Sequence, residues 1–367
     1  MGSKVWRHFD IPLLLYTLLL LGYGLAMVYS ATYEPDRSLL ASDLVVKQAV
    51  YALIGLALLA LMLTIDYRIL GNVAPLIYFS ALGLLAVVLA LGRITHGAQR
   101  WIDLGVFPLQ PSELAKLLLI IALAKYMADH EEEMAQLRYV GISLAIVGVP
   151  AALTFLQPDL GTAVILILIW LGMAVMVGVR LKHWLLLALG AVFVAPAGYF
   201  GMHSYMRERL TVFLDPQSDP MGAGYNIIQA LTAVGSGGFF GRGFTSGTQS
   251  QLHFLRVQYA DFIFSVLGEE LGFFGACILF VLIAGLLLRV LRAASLSTET
   301  FGRLIPTGIL TWLAAQTFVN VGMNIRLLPV TGVPLPFISY GGSSLIMILI
   351  AVGIIESIIM RHKKIEF

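Results

Sequence analysis

The sequence predicts an all-α polytopic membrane protein with about ten transmembrane helices and a large structured loop between helices 7 and 8. The composition is the first observation that supports this fold class. The 367 residues are 59% hydrophobic, with a mean hydropathy of +0.89. Only 12% are charged, whereas soluble globular domains carry about 25%.

The second observation is the length of the apolar runs. About 20 apolar residues in a helix cross a hydrocarbon core about 30 Å thick. Ten runs approach or exceed this length, which indicates a single membrane domain over residues 1–367. Lys116, Pro150 and Glu356 lie inside the fourth, fifth and tenth runs. The predicted spans are 11–31, 46–64, 73–92, 112–128, 139–156, 160–178, 183–200, 261–288, 303–324 and 341–360.

The basic residues predict the orientation. If the N-terminus is cytoplasmic, most Lys and Arg fall in cytoplasmic loops, as the positive-inside rule requires. Both termini are then cytoplasmic, and the loop between spans 7 and 8 is outside. The first run exceeds the roughly 7–15 apolar residues of a signal peptide, so we expect an uncleaved helix. The net charge of +2, without a dense basic tract, gives no reason to expect nucleic-acid binding.

The long loop, residues 201–260, interrupts the even spacing of the spans. Residues 225–231 have the pattern of a short amphipathic helix. The glycine-rich stretches 235–238 and 241–243 predict tight turns or a close approach to other backbone. Long ordered loops are usually functional, so we expect the loop to form part of a site.

Charged residues near the outer ends of the spans are candidates for that site, because each is costly in hydrocarbon. Glu113 and Lys116 could form a local ion pair, and Asp159 could cap span 6. Asp261 could cap span 8, or act as a base near the cations of the long loop. Glu269 and Glu270 are expected to form a structural ion pair or to face a polar cavity. The long loop carries the cations Arg207, Arg209, Arg242 and Arg256, and Arg100 lies in the loop before span 4.

Other kinds of chemistry find less support. No cluster of His, Cys and carboxylates has zinc-like spacing, and Ser343 lacks an obvious His partner for nucleophilic hydrolysis. The single cysteine, Cys277, excludes an intrachain disulfide.

Seven segments together resemble the SEDS family (shape, elongation, division, sporulation). They are GAQRW at 97–101, QPSELAK at 110–116, QPDLGTA at 157–163, GAGYN at 222–226, DFIF at 261–264, EELG at 269–272 and PFISYGGSS at 336–344. Gln157 and the stretch 329–336 resemble the elongation (RodA) branch, although the motifs overlap with those of the sporulation branch. Ala260 departs from the usual Thr or Ser, and Gly268 from the common Ala.

The resemblance implies a glycosyltransferase that polymerises lipid II at the outer face of the bacterial cytoplasmic membrane. It also implies a class B penicillin-binding protein as partner and an undecaprenyl-linked glycan as product. Asp261 matches the family's essential aspartate. We therefore expect Asp261 to be the general base, with Arg207, Arg209, Arg242 or Arg256 supplying positive charge.

Several alternatives stay open. Arg100, Glu113, Lys116, Asp159, Glu269, Glu270 and Ser343 are expected to line the substrate cavity. The charge that develops on the leaving pyrophosphate requires cations, from Arg, Lys or a divalent metal such as Mg²⁺ or Mn²⁺. A lipid II flippase, or a non-catalytic scaffold for a penicillin-binding protein, is the alternative function. A flippase should carry polar groups along its whole path, whereas the unusual residues here cluster at the outer ends.

Overall fold

The computed structural model describes residues 6–33, 43–95, 98–103, 108–219, 222–252, 254–255 and 257–362. Its helices are α1 Ile11–Ala31, α2 Asp43–Thr64, α3 Tyr67–Asn72, α4 Ala74–Leu91, α5 Pro111–Asp129, α6 Leu137–Leu156, α7 Leu160–Val177, α8 Leu181–Gly201, α9 Ser204–Leu214, α10 Ala223–Ser236, α11 Thr248–Gln251, α12 Ile263–Leu296, α13 Thr300–Asn324 and α14 Gly342–Met360. Short 3-10 turns occupy Glu133–Ala135 and Pro216–Ser218.

Each of the ten predicted spans overlaps one of these helices. Within the described residues, seven helices are long and apolar enough to cross a membrane: α1, α2, α6, α7, α12, α13 and α14. Shorter apolar stretches lie in α4 and α8, and α5 carries the charged residues Glu113 and Lys116. The chain is therefore an all-α polytopic membrane protein, as predicted.

Helix α14 lies at the centre of the bundle and is buried along almost its whole length. It packs against α2, and small residues allow the two backbones to approach closely. A Cβ on Gly55 would lie 2.4 Å from Leu349 Cδ1, and a Cβ on Gly353 would lie 2.8 Å from the Leu59 carbonyl oxygen. Around this pair, α12 packs on α1 and α13, while α7 packs on α6 and α13.

A small antiparallel sheet, absent from the sequence prediction, precedes α5. Its strands β1 Arg93–Thr95, β2 Ala98–Asp103 and β3 Pro108–Leu109 lie in the order β1-β2-β3. Arg93 pairs with Trp101, and Ile102 pairs with Leu109. Two- to six-residue strands separated by short turns carry little periodic signal, so the sequence suggested only an irregular loop.

The long loop is ordered around α10 and α12. The predicted amphipathic helix at 225–231 is confirmed as part of the longer α10. The predicted close approach of the glycines is also confirmed. A Cβ on Gly237 would lie 1.9 Å from the Gly268 carbonyl oxygen, and a Cβ on Gly241 would lie 2.1 Å from that of Glu270.

Helix α12 is interrupted at Gly272, where it approaches the glycines of the long loop. Gly272 adopts φ 64° and ψ −161°, a conformation that interrupts the helix and is essentially restricted to glycine. The freed N–H groups of Phe273 and Phe274 donate to the carbonyls of Gly238 and Phe239 at 2.9 and 3.0 Å. Main-chain hydrogen bonds thus join the long loop to α12, the helix that follows Asp261.

Candidate active site

A cavity of about 1030 Å³ lies where the long loop, the small sheet and the 329–342 loop meet. Asp261 borders it, together with Arg100 from β2 and Arg209 from α9. A cavity of this volume is at the upper end of small-molecule sites. It contains both a carboxylate and two guanidinium groups, so it is the strongest candidate for an active site in the described part of the chain.

These three charged groups converge on one backbone position. Gly332 has φ +75°, and a Cβ placed there would lie 3.7 Å from Asp261 Oδ2, 3.7 Å from Arg209 Nη1 and 3.8 Å from Arg100 Nη1. A single carboxylate oxygen and two cations therefore surround a position without a side chain. A substrate carrying both a hydroxyl and a phosphate could approach all three groups there.

The turn before α7 holds Arg100 in place. Its guanidinium donates to the carbonyls of Gln157, at 3.4 Å, and of Pro158, and lies 4.0 Å from Asp159 Oδ1. Asp159 in turn caps α7, because its carboxylate accepts the N–H of Thr162 at 3.2 Å and the Thr162 hydroxyl at 3.0 Å. The capping interpretation of Asp159 is confirmed, and the same side chain also faces Arg100.

Arg209 is held by the 329–342 loop and by its own helix. Its Nη1 donates to the Val330 carbonyl at 3.0 Å, and its Nη2 donates to the Tyr205 hydroxyl. The guanidinium carbon also lies 4.4 Å from the centre of the Tyr205 ring, within the range of a cation–π contact. Arg209 is therefore directed towards Gly332 by contacts on two sides.

Asp261 lies one residue before the N-cap of α12. The N-cap position is Phe262, which makes no side-chain capping bond. The main chain of this segment is fixed by other elements: the Ser339 hydroxyl donates to the Ala260 carbonyl at 2.6 Å, and Tyr340 N–H donates to the Tyr259 carbonyl at 2.9 Å.

The other predicted cations lie elsewhere or outside the described residues. Arg207 Nη2 donates to the Phe200 carbonyl at 2.6 Å at the end of α8. Arg242 is exposed and donates to Thr248 Oγ1 at 3.0 Å. Neither belongs to the described residues that border the cavity. Arg256 lies outside the described residues.

Glu113 and Lys116 form the predicted ion pair, deep between α5 and α13. Lys116 Nζ lies 2.7 Å from Glu113 Oε1, and each side chain is only 1% exposed. Lys116 Nζ also donates to Gln316 Oε1 at 3.0 Å and lies 5.1 Å from the centre of the Trp312 ring. The pair lies apart from the described residues that border the cavity.

Glu269 and Glu270 bind the long loop. Glu269 accepts the N–H groups of Gln249 and Ser250 at 2.8 and 3.1 Å. Glu270 accepts the hydroxyls of Ser30 and Ser250. Because these partners are neutral, the ion-pair interpretation is wrong for both residues within the part of the chain that the structure describes.

Ser343 has a main-chain role beside the cavity. Its hydroxyl donates to the Pro108 carbonyl at 3.2 Å and accepts the Gln110 N–H at 3.1 Å. It thereby connects β3 to the start of α14, next to Gly341 and Gly342, which border the cavity.

The comparisons with known proteins agree with this architecture. The family model FTSW_RODA_SPOVE, described as "Cell cycle protein", matches residues 12–364. The chain belongs to this family.

Individual members of the FtsW/RodA/SpoVE family resemble the chain over almost its full length. Peptidoglycan glycosyltransferase MrdB of Escherichia coli strain K12 is 40% identical over 361 residues, which are 97% of this chain and 95% of MrdB. A chain from a solved structure described as structural coordination of polymerization and crosslinking by a peptidoglycan synthase complex superposes with a TM-score of 0.82. That chain is 30% identical, and the match covers 96% of this chain and 98% of the other.

The solved rod shape determining protein RodA of Thermus thermophilus, of the same FtsW/RodA/SpoVE family, is a further match. It superposes with a TM-score of 0.71 at 30% identity, and the match covers 98% of this chain and 99% of RodA.

Several polar residues that border the cavity were not predicted from the sequence. They are Tyr51, Tyr205, Glu208, Asp219, Asn226, Tyr259 and Tyr340. Burial, together with the neighbouring Tyr51, raises the pKa of Tyr340 to about 12, so its hydroxyl stays protonated. The GAGYN and SYGG motifs contained Asn226 and Tyr340, but a motif does not reveal which of its side chains face a cavity.

Among the described residues, no group of three or more His, Cys, Asp or Glu is arranged to hold a metal ion. The cations that the described site itself offers are Arg100 and Arg209.

Proposed function

We propose that the protein is a peptidoglycan glycosyltransferase that polymerises lipid II into glycan strands during cell-wall elongation, with Asp261 as the general base. The observation that carries the proposal is the convergence of Asp261 Oδ2, Arg209 Nη1 and Arg100 Nη1, each 3.7–3.8 Å from the Cβ position of Gly332. The similarity to MrdB, 40% over 97% of the chain, supports the same activity.

The reaction needs these groups in separate roles. Asp261 accepts the proton of the acceptor's GlcNAc 4-hydroxyl as that oxygen attacks the anomeric carbon of the growing chain. The bond between the anomeric carbon and the pyrophosphate oxygen breaks, and undecaprenyl pyrophosphate leaves. Positioned general bases contribute roughly 10²–10⁴-fold in rate. A pyrophosphate needs no protonation to depart, so one carboxylate is sufficient.

Arg100 and Arg209 stabilise the charge that develops on the leaving pyrophosphate. Both guanidinium groups are held by main-chain carbonyls, so little reorganisation is needed as charge appears. Arginine suits this role because its planar fork matches phosphate oxygens. Arg100 is also turned towards the site by Asp159, 4.0 Å away.

The membrane orientation and the partner belong to the same proposal. The distribution of Lys and Arg supports cytoplasmic termini and a cavity that faces the outer side of the cytoplasmic membrane. A class B penicillin-binding protein is the proposed partner. The similar synthase complex, in which polymerization and crosslinking are coordinated, supports this partner.

The test uses purified full-length protein with its penicillin-binding partner in liposomes that contain lipid II. We expect long glycan strands from the wild type and a loss of at least about 10²-fold in rate for Asp261→Asn. Asp129→Asn is the matched control, since Asp129 lies in an exposed ion pair with Lys125 on α5. Strands at a near-normal rate from Asp261→Asn would refute the base assignment. Transbilayer movement of lipid II without strand formation would instead support a flippase.

A further inference from the structure

One face of α13 carries three buried amides that bind main-chain carbonyls near the candidate site. Gln316, Asn320 and Asn324 are spaced four residues apart, so they lie on the same face of the helix, and they are 0%, 0% and 1% exposed. Each donates its amide hydrogens to main-chain carbonyls. Gln316 donates to Pro334 at 2.8 Å, and Asn320 donates to Val333 at 2.8 Å.

Two of these amides meet at Asp261. The carbonyl of Asp261 accepts Nδ2–H groups from Asn320 at 3.2 Å and from Asn324 at 3.1 Å. A carbonyl has two lone pairs, and both are used here by one neighbouring helix. The backbone that carries the proposed base is thus attached to α13 at two points.

Asn324 also fixes the first turn of α12. Its Oδ1 accepts the N–H of Ser265 at 3.2 Å and the Ser265 hydroxyl at 2.6 Å. The first N–H groups of a helix need acceptors from outside the helix, and Phe262 at the N-cap supplies no side-chain acceptor. The Ser265 N–H also donates to the Phe262 carbonyl at 3.0 Å, so Asn324 adds a second acceptor, from another helix, at the first turn after Asp261.

Asn320 connects the two sides of the site. It donates both to Asp261 and to Val333, the residue after Gly332. The loop that contains Val333 also receives Arg209, through the Val330 carbonyl at 3.0 Å. Asn320 thereby holds the backbone of Asp261 at a fixed distance from the 329–342 loop, next to which Arg100 and Arg209 lie.

We propose that Asn320 and Asn324 are positioning residues that hold Asp261 at the distance from the acceptor hydroxyl that proton transfer needs. The inference rests on the proposed function, in which Asp261 is the base. Buried amides are costly unless they are hydrogen-bonded, and aliphatic side chains would fill the same space in a membrane bundle. Because both amides bind the carbonyl rather than the carboxylate, they set the position of Asp261 and leave substrate affinity to other groups.

The experiment measures initial rates of strand formation across a range of lipid II concentrations, with full-length protein and its partner. For Asn320→Ala and Asn324→Ala, we expect kcat per folded molecule to fall about 10- to 100-fold, since a displacement of about 1 Å has this effect. KM should stay within about two-fold of the wild-type value, because neither amide borders the cavity. A purely structural role would lower the melting temperature and leave kcat per folded molecule unchanged.

Ser143→Ala is the matched control. Ser143 accepts the indole N–H of Trp170 at 2.9 Å between α6 and α7, so its loss removes one buried interhelical hydrogen bond away from the site. We expect a lower melting temperature and an unchanged kcat. If the Asn variants behaved in the same way as Ser143→Ala, the positioning role would be refuted.

Ser265→Ala provides a variant that should fold even if the Asn variants do not, because alanine is favoured in a helix. It removes one of the two hydrogen bonds that Asn324 Oδ1 accepts, and we expect kcat to fall several-fold. Wild-type kcat for Ser265→Ala would overturn the inference. Asp261→Asn, measured in the same series, separates the two proposals: its activity tests the base, and the Asn and Ser variants test the positioning.

Discussion

Glu269, on α12, accepts the main-chain N–H of Gln249 at 2.8 Å, although the glutamate is wholly buried. The second carboxylate oxygen accepts the N–H of Ser250 at 3.1 Å. Among the described residues, this buried carboxylate thus binds backbone donors of the long loop rather than a cation. The loop that forms one wall of the cavity is thereby attached to the helix that begins beside Asp261.

Glu269→Gln should loosen this attachment. The glutamine amide nitrogen would face one of the two N–H donors, and hydrogen bonds to charged groups contribute about 1.5–3 kcal/mol each. We expect faster hydrogen exchange at residues 248–251 and a lower rate of strand formation. Glu132→Gln, on an exposed turn after α5, is the control and should change neither measurement. Unchanged exchange in the Glu269 variant would contradict the docking role.

The role of Glu269 shows where sequence reasoning stopped. Hydrophobic run length predicted the ten helices of 18 or more residues in the described part of the chain, because the bilayer imposes a length on each span. Because an ionisable side chain is costly in hydrocarbon, the sequence correctly predicted that Glu269 and Glu270 need polar partners. Most of their partners lie about 20 residues earlier in the long loop, and Glu270 also binds Ser30 of α1. No periodicity or propensity predicts such pairings.

The cations illustrate the same limit. Arg100 and Arg209 meet Asp261 only because β2, α9 and the 329–342 loop come together in three dimensions. Arg207 and Arg242, equally plausible in sequence, point to other carbonyls. The amides of α13 gave a usable signal that was not recognised. A run of Gln316, Asn320 and Asn324 at four-residue spacing inside a span is costly and indicates a buried polar face.

Gly272 should tolerate no side chain. A Cβ there would lie 2.3 Å from Gly241 N and 2.8 Å from the Phe239 carbonyl oxygen, and the backbone conformation alone costs about 1–3 kcal/mol for other residues. We expect Gly272→Ala to lower the melting temperature by several degrees and to reduce activity. Gly148→Ala is the matched control, because no atom lies within 4 Å of its Cβ position in α6. Equal melting temperatures for the two variants would contradict the close approach.

The four described arginine candidates should separate into two classes. Arg100→Ala and Arg209→Ala each remove one of the two guanidinium groups beside Gly332. We expect the rate of strand formation to fall at least about 10-fold in each variant. Arg207→Ala and Arg242→Ala remove cations that lie apart from the described cavity lining, and they should keep rates within about two-fold of wild type. Rates are compared per folded molecule. An equal loss in all four variants would show that the general field of the long loop matters, rather than this geometry.

The buried pair of Lys116 and Glu113 should reveal its role through stability. Lys116→Met leaves the Glu113 carboxylate 1% exposed without its cation, and Glu113 Oε2 already has no hydrogen-bond partner among the described residues. Removal of one partner from a buried ion pair costs about 3–5 kcal/mol.

We therefore expect Lys116→Met to lower the melting temperature strongly, as measured by thermal unfolding in detergent. The double variant Lys116→Met with Glu113→Gln removes both charges and should recover most of the loss. This recovery distinguishes a charge effect from a packing effect, because the methionine is present in both proteins. If the double variant were no more stable than Lys116→Met, the loss would come from the contacts of Lys116 with Gln316 and Trp312.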